Sequence, residues 1–560
     1  MMFSTLRTAT LAAFVTSHAY ACWDIGQEVQ TTSGTIKGHA SSWQSEVSEY
    51  LGVPYAKPPV GDLRFAAPQP YTGNGSIDAA KFSPDCPAAI APTTGPAFQN
   101  LPPFAEKLAN ILGQKGDVFD EDCLTLNIWT KPQTGEKAKA VLLWIYGGGF
   151  NSGNSQSPAY NGARLANDMD VIVVSVNYRV NIFGFPGVSF GTGLNGGLLD
   201  QRLGVEWVRD NIAKFGGDPE RITLFGQSAG GSSVDIYSFA WTEDPIVHAF
   251  IPQSGTASNT MVGGRDTSGG WYSASEKLGC GGRDAGEATL ACMRSKPWQA
   301  IVNATTPEGG ALAALTAFAP TADNKTVFPD YNARRAAGNF AKLPTLVGNT
   351  DNELSLFTLL ACVGGNSTNC TQTDSGAGGV LNGAFSCPAA SAAKARADAG
   401  VKVWRYLYAA TWPNQDIGVQ GAWHGAELAP VFGTSEFVSG MPDIPAERNF
   451  SQILMSAWSG FAKDPENYLP RLGWPVYDPT KNTLIKLGGP NSPDITFINA
   501  TSVDSGCALL ESLAANPSGS GGLGDLLSGG GSSGLGAFFG GSRRGRRSAP
   551  MTRPRGPGRH

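Results

Sequence analysis

Five residues, Gly226-Gln227-Ser228-Ala229-Gly230, constrain this chain more than any other feature of its sequence. They follow directly on Arg221-Ile-Thr-Leu-Phe225, a run with strand character, and precede small residues suited to a helix start. A serine lifted on so tight a strand-to-helix turn sits in a strained backbone conformation. Side chains at Gly226 or Gly230 would collide with the neighbouring elements. The rest of the body agrees with that turn, because short β-branched runs alternate with helical patterns, the signature of an α/β sheet covered by helices.

Two runs, Val141 to Tyr146 (VLLWIY) and Val171 to Val176 (VIVVSV), are continuously apolar, as central strands buried on both faces must be. Leu343 to Val347 and Val401 to Tyr408 are further strand candidates. Helical spacing places Leu203, Trp207 and Ile212 on one face of Asp200 to Phe215, and Phe450, Leu454, Trp458 and Phe461 on one face of Glu447 to Phe461. With no linker between them, residues 22–515 read as one large domain.

The ends read differently from the body. Arg7, the apolar stretch Leu11 to Val15 and Ala19-Tyr20-Ala21 make residues 1–21 a secretory signal. Seven N-x-S/T sequons, at Asn74, Asn303, Asn324, Asn366, Asn369, Asn449 and Asn499, are glycan acceptors in an exported chain. Export also makes disulfides the expected state of the nine cysteines, and their odd number leaves at least one thiol free or paired with another chain. A local Cys362–Cys370 bridge is one expectation. None shows C-x-x-C spacing, so no metal site is expected, and nothing in the chemistry below needs a cofactor.

Lys plus Arg number 41 and Asp plus Glu 46, a net charge of −5 that excludes a strongly basic nucleic-acid binder. That value is an average. From Pro517 to His560 there are seven Arg and one Asp, +6, which leaves −11 for the residues before it. This basic segment holds fourteen glycines and cannot bury enough apolar surface to offset its ordering entropy, so residues 516–560 read as a disordered Gly/Ser/Arg-rich tail. Its arginines suit contact with an anionic surface. No run approaches the ~20 apolar residues of a membrane span.

A serine hydroxyl is a poor nucleophile until a base takes its proton, which directs attention to histidine. There are five. His18 and His560 lie in the signal and the tail. In a fold that carries G-x-S-x-G on such a turn the order is serine, acid, histidine, which excludes His39 and leaves too little room before His248. His424 remains, in the Gly-flanked segment Gly421 to Glu427. The acid belongs after a strand between Ser228 and His424; Asp351 and Glu353, past Leu343 to Val347, are both available. Strand VLLWIY runs into Gly147-Gly148-Gly149-Phe150, a turn able to present backbone N–H groups, with that of Ala229, to a developing oxyanion.

These segments resemble the type-B carboxylesterase and lipase family, which includes cholinesterases, and in particular its secreted fungal members. Phe215 to Gly230 is similar to the family's serine signature and Glu121-Asp-Cys-Leu-Thr-Leu-Asn-Ile-Trp129 to its second signature. Further similarity lies in Asn177-Tyr-Arg179, Gly197-Leu-Leu-Asp-Gln201 and His424-Gly425, within a span from about Gln30 to Tyr477. The resemblance implies an α/β-hydrolase fold, a mostly parallel central sheet flanked by helices, and hydrolysis of small-molecule or lipid esters through an acyl-enzyme. It implies Ser228 as nucleophile, Glu353 rather than Asp351 as acid, His424 as base, and Gly148, Gly149 and Ala229 as oxyanion hole. It implies disulfides Cys86–Cys123 and Cys280–Cys292, leaving Cys22, Cys362, Cys370, Cys387 and Cys507 unassigned. Ser254 and Glu427 resemble the family's buried polar residues behind the histidine.

Two departures bear on substrate. Cholinesterases of this family carry a tryptophan in the first disulfide loop and a Glu before the serine; here Cys86 to Cys123 contains no Trp and Gln227 stands before Ser228. A quaternary ammonium would lack its aromatic and anionic partners. Family lipases carry a lid in that same loop, and the stripe Leu101, Phe104, Leu108, Ile111 and Leu112 has the spacing of a lid helix with an apolar face.

Overall fold

The computed structural model describes residues 23–89, 101–132, 138–191, 193–258, 267–306, 317–364 and 378–508. Residues 1–21, read above as a signal, and 516–560, read as a tail, lie outside them, as do Cys22, Asn366, Asn369 and Cys370. Fourteen strands are present among the described residues. Glu28–Thr31 (β1), Gly34–Lys37 (β2) and Ser76–Asp78 (β5) form a small sheet of order β1-β2-β5. The other eleven are His39–Ala40 (β3), Ser48–Pro54 (β4), Thr125–Thr130 (β6), Lys139–Ile145 (β7), Ile172–Val176 (β8), Gly217–Gln227 (β9), Ala249–Gln253 (β10), Thr345–Thr350 (β11), Val403–Tyr408 (β12), Leu484–Gly489 (β13) and Ser492–Ile498 (β14). They lie side by side in the order β14-β13-β12-β11-β10-β9-β7-β8-β6-β4-β3.

Every pairing from β13 through β8 is parallel, and only the outer pairs β13·β14, β8·β6, β6·β4 and β4·β3 are antiparallel. The two continuously apolar runs became β7 and β8, each residue buried, next to one another near the middle. Helices close both faces, which is why those strands carry no polar side. On one face Pro445–Lys463 buries Phe450, Leu454, Trp458 and Phe461, the stripe expected from spacing. The helix expected over Asp200 to Phe215 instead begins at Gly196 and ends at Asn211, with a tighter turn over Ile212–Phe215. The early start depends on Gly197, where a Cβ would stand 2.4 Å from the Arg179 carbonyl oxygen, too close for any other residue.

Cys86–Cys123 and Cys280–Cys292 are disulfide-bonded, and so is the pair Cys387–Cys507, which the sequence left unassigned. Cys387–Cys507 closes a loop of 120 residues and fastens Thr501–Asp504 beside β12, where the buried Arg405 guanidinium also grips the Asp504 carboxylate through both oxygens. Of the described sequon asparagines, Asn74, Asn303, Asn324 and Asn449 are exposed. Asn499 is half-buried and accepts from the Thr501 amide at 3.0 Å. Among the described residues no helix is long and apolar enough to cross a membrane, and no group of three or more His, Cys, Asp or Glu is arranged to hold a metal.

The lid-like stripe became the helix Pro103–Leu112, and its apolar face is turned inward: Phe104 and Leu108 are buried, whereas Leu112 is 43% exposed. Phe104 packs on Trp423, centroids 6.2 Å apart, and the Lys107 ammonium donates to the Ser439 carbonyl. The helix therefore rests on the segment that carries His424.

Candidate active site

Parallel strands deliver their C-terminal ends to one edge of the sheet, and the candidate residues collect there. Gly226 is in register with Ile145 on β7, and Gln227 with Gln253 on β10. Ser228 therefore leaves β9 level with the glycine turn that leaves β7. The serine adopts φ 60°, ψ −121° before the helix Ala229–Ala240 begins, a conformation that costs a non-glycine residue about 1–3 kcal/mol. Tight packing enforces it. A Cβ at Gly230 would stand 2.0 Å from the Ile145 carbonyl oxygen and one at Gly226 2.6 Å from it, so helix and strand meet backbone to backbone.

On β11 the chain turns at Asp351 and presents Glu353, whose carboxylate is fully buried. One oxygen accepts the Thr350 amide at 2.8 Å; the other meets Nδ1 of His424, which lies in the loop beyond β12. Asp351 points elsewhere and accepts the Ala422 amide at 2.7 Å, holding the histidine loop to the end of β11. The imidazole packs against Phe357 and Phe385, each centroid 4.9 Å away. Glu353 holds the proton on Nδ1 and those rings flank the imidazole, leaving Nε2 as the acceptor.

That Nε2 is engaged, and not by the serine. The Gln227 side-chain amide lies 3.1 Å from it, while no hydrogen bond joins Ser228 Oγ to His424. In the sequence Gln227 stands out only as a departure from cholinesterases. Its contact depends on folding, which brings Gly425 and Gly147 close against its amide.

The glycine turn after β7 places Gly148 at φ +116° and Gly149 at φ +62°. A Cβ on Gly148 would come within 2.2 Å of the Ser152 carbonyl oxygen. Among the described residues no protein acceptor is seen for the N–H groups of Gly148, Gly149 or Ala229. Asn151 holds the turn in shape by donating to the Gly149 and Phe318 carbonyls, each at 2.7 Å, a role no sequence signal announced.

Behind the histidine, Glu427 is fully buried and accepts from Gln253 at 3.2 Å. Burial, then the charge on Glu353, pushes its carboxyl up to about 7. Ser254 lies nearby at the end of β10 with φ 47°. The other described histidines are occupied: His39 pairs with Glu49 at 3.1 Å and His248 rests against the Ile222 and Ala462 carbonyls.

A mostly parallel sheet flanked by helices, with a strained serine at the end of a central strand and a buried Glu–His pair at the ends of two others, defines an α/β-hydrolase. Residues 26–377 and 379–504 match the Carboxylesterase family, and the chain belongs to it. It is 34% identical over 508 residues to Secreted lipase 5 of Gibberella zeae, covering 85% of this chain and 93% of that one. It is 35% identical over 475 residues to Chlorogenic acid esterase of Aspergillus niger (82% and 89%), and 29% identical over 521 residues to Acetylcholinesterase of Bungarus fasciatus (82% of each). The protein is a carboxylesterase-type hydrolase.

Proposed function

We propose that this hydrolase is secreted and cleaves carboxylic esters through an acyl-enzyme on Ser228, with His424 as base and Glu353 as its acid. The observation that carries the reading is the buried Glu353–His424 pair at the same sheet edge as a serine held at φ 60°. His424 Nε2 takes the serine proton as Oγ bonds to the ester carbonyl carbon; the resulting oxyanion accepts the amides of Gly148, Gly149 and Ala229. The imidazolium returns the proton to the leaving alcohol. Water then repeats the sequence and frees the acid. No step calls for a metal or a cofactor.

Three disulfides, the exposed sequons and the signal-like residues 1–21 support export, in line with a relative named as secreted. In this reading residues 22–515 are the catalytic domain and 516–560 a tail for anionic surfaces. The substrates are short to medium acyl or small-molecule esters. A second reading, a lipase for long-chain esters, is favoured by Leu112 and Val118, which are 43% and 68% exposed within the first disulfide loop.

Hydrolysis of p-nitrophenyl butyrate should fall by at least about 10⁴-fold in Ser228→Ala. Unchanged hydrolysis by purified Ser228→Ala would sink the mechanism. A panel graded by acyl length, offered in solution and as emulsion, separates the two substrate readings: a rise in rate when the emulsion forms selects the lipase.

A further inference from the structure

The histidine's free lone pair is not free. Nδ1 faces Glu353, so Nε2 carries no proton in the neutral ring and can only accept; the group 3.1 Å away is the Gln227 side-chain amide. Gln227 is the last residue of β9, 5% exposed, and its position is narrowly set. A Cβ at Gly147 would crowd its Oε1 at 3.2 Å, and the Gly425 position lies in ordinary contact range of its Nε2, 3.5 Å from a Cβ built there. Ser228, the adjacent residue, makes no hydrogen bond with the imidazole in this arrangement.

We propose that Gln227 is a positioning residue that holds His424 in a resting geometry, its amide competing with the Ser228 hydroxyl for Nε2. This rests on the roles proposed above for Ser228 and His424. The base activates the nucleophile only when Nε2 turns from the amide to Oγ, a rotation made between Phe357 and Phe385. The charged and titratable groups facing the ring are Glu353 on Nδ1 and, from behind, Glu427.

The test is the rate at which a small fluorophosphonate inactivates the full enzyme, measured with the pH profile of kcat/KM and the Tm. In that reaction the Oγ–P bond forms as the P–F bond breaks, and the serine proton passes to Nε2, so the rate reports how available the base is. Gln227→Met keeps the length and removes the donor; it should raise the plateau inactivation rate about fivefold, the weight of one neutral hydrogen bond. Gln227→Glu keeps the shape but offers only acceptors beside Nε2; it should move the acidic limb of kcat/KM up by about one pH unit. A Met variant that folds and reacts no faster than the native enzyme overturns the proposal. Should that variant not fold, an unmoved limb in the Glu variant overturns it. Ser228→Ala and His424→Ala, run alongside, keep the two readings apart: if they stay active, the mechanism itself falls and the role of Gln227 with it.

Discussion

Asp351 and Glu353 stand two residues apart, and spacing could not choose between them as the acid. The turn after β11 separates them: the Thr350 amide fixes one Glu353 oxygen and leaves the other on His424, while Asp351 is spent on the Ala422 amide. The two substitutions should therefore differ sharply. Glu353→Gln loses the charge that fixes the imidazole tautomer and stabilises imidazolium, and kcat should drop by about 10⁴-fold. Asp351→Asn retains an acceptor for Ala422 and should change kcat by less than about tenfold, on the order of one neutral hydrogen bond. Steady-state kinetics of the two purified variants decides it; equal losses would contradict the assignment. The candidate serine stands out in sequence because G-x-S-x-G after a strand permits few backbones, and the candidate histidine because few others exist. The Gln227 contact was not legible, since it arises only where Gly147 and Gly425 approach from distant parts of the chain.

Elements were legible in proportion to how completely one force shaped them. β7 and β8 are buried throughout and read as unbroken apolar runs, whereas β10, Ala249–Gln253, is equally central but contains Pro252, a residue that argues against an inner strand. The helix Pro103–Leu112 shows the same limit from the other side: periodicity identified its apolar stripe, but not what the stripe would meet. Phe104 is 2% exposed against Trp423, so Phe104→Ala opens a cavity costing about 3–5 kcal/mol, while Leu112→Ala, at a 43% exposed position, costs within about 0.5 kcal/mol. The Cys86–Cys123 disulfide encloses the helix and restrains its ends, so the loss in Phe104→Ala should be felt as local opening. Limited proteolysis should cut Phe104→Ala between residues 103 and 112 before the rest of the body, and leave Leu112→Ala as resistant as the native protein. Equal resistance of both would mean that the Trp423 contact does not hold the helix down.

At the scale of the whole molecule, buried carboxyls couple stability to pH. Asp85, Glu427 and Glu447 are almost wholly inaccessible, and burial first, then a neighbouring carboxylate in each case (Asp117, Glu353, Asp443), pushes them up to about 7, 7 and 8. Asp85 ties the first disulfide loop to the turn after β7 through Asn154 and Gln156. Each of these groups keeps its proton in the folded protein at pH values where the unfolded chain, with carboxyls near 4, has lost it. Their contribution is thus fully present below pH 4 and fades as pH rises toward 8, at about 1.4 kcal/mol per pH unit for each proton by which the two states differ. Asp235 runs the other way: although buried, it is held below the usual carboxylate range by Arg396 and Arg335, and Asp323 is lowered by hydrogen bonds from Thr326 and the backbone. Their contribution is present above pH 4 and is lost on further acidification. The two sets cross near pH 4–5, so Tm should peak in that mildly acidic window and decline toward pH 8. Differential scanning fluorimetry from pH 3 to 9 measures the profile, and the triple variant Asp85→Asn, Glu427→Gln, Glu447→Gln should flatten its alkaline side while leaving the acidic side in place. A Tm that rose from pH 5 to 8, or an alkaline slope unchanged in the triple variant, would show that these three carboxyls do not set it.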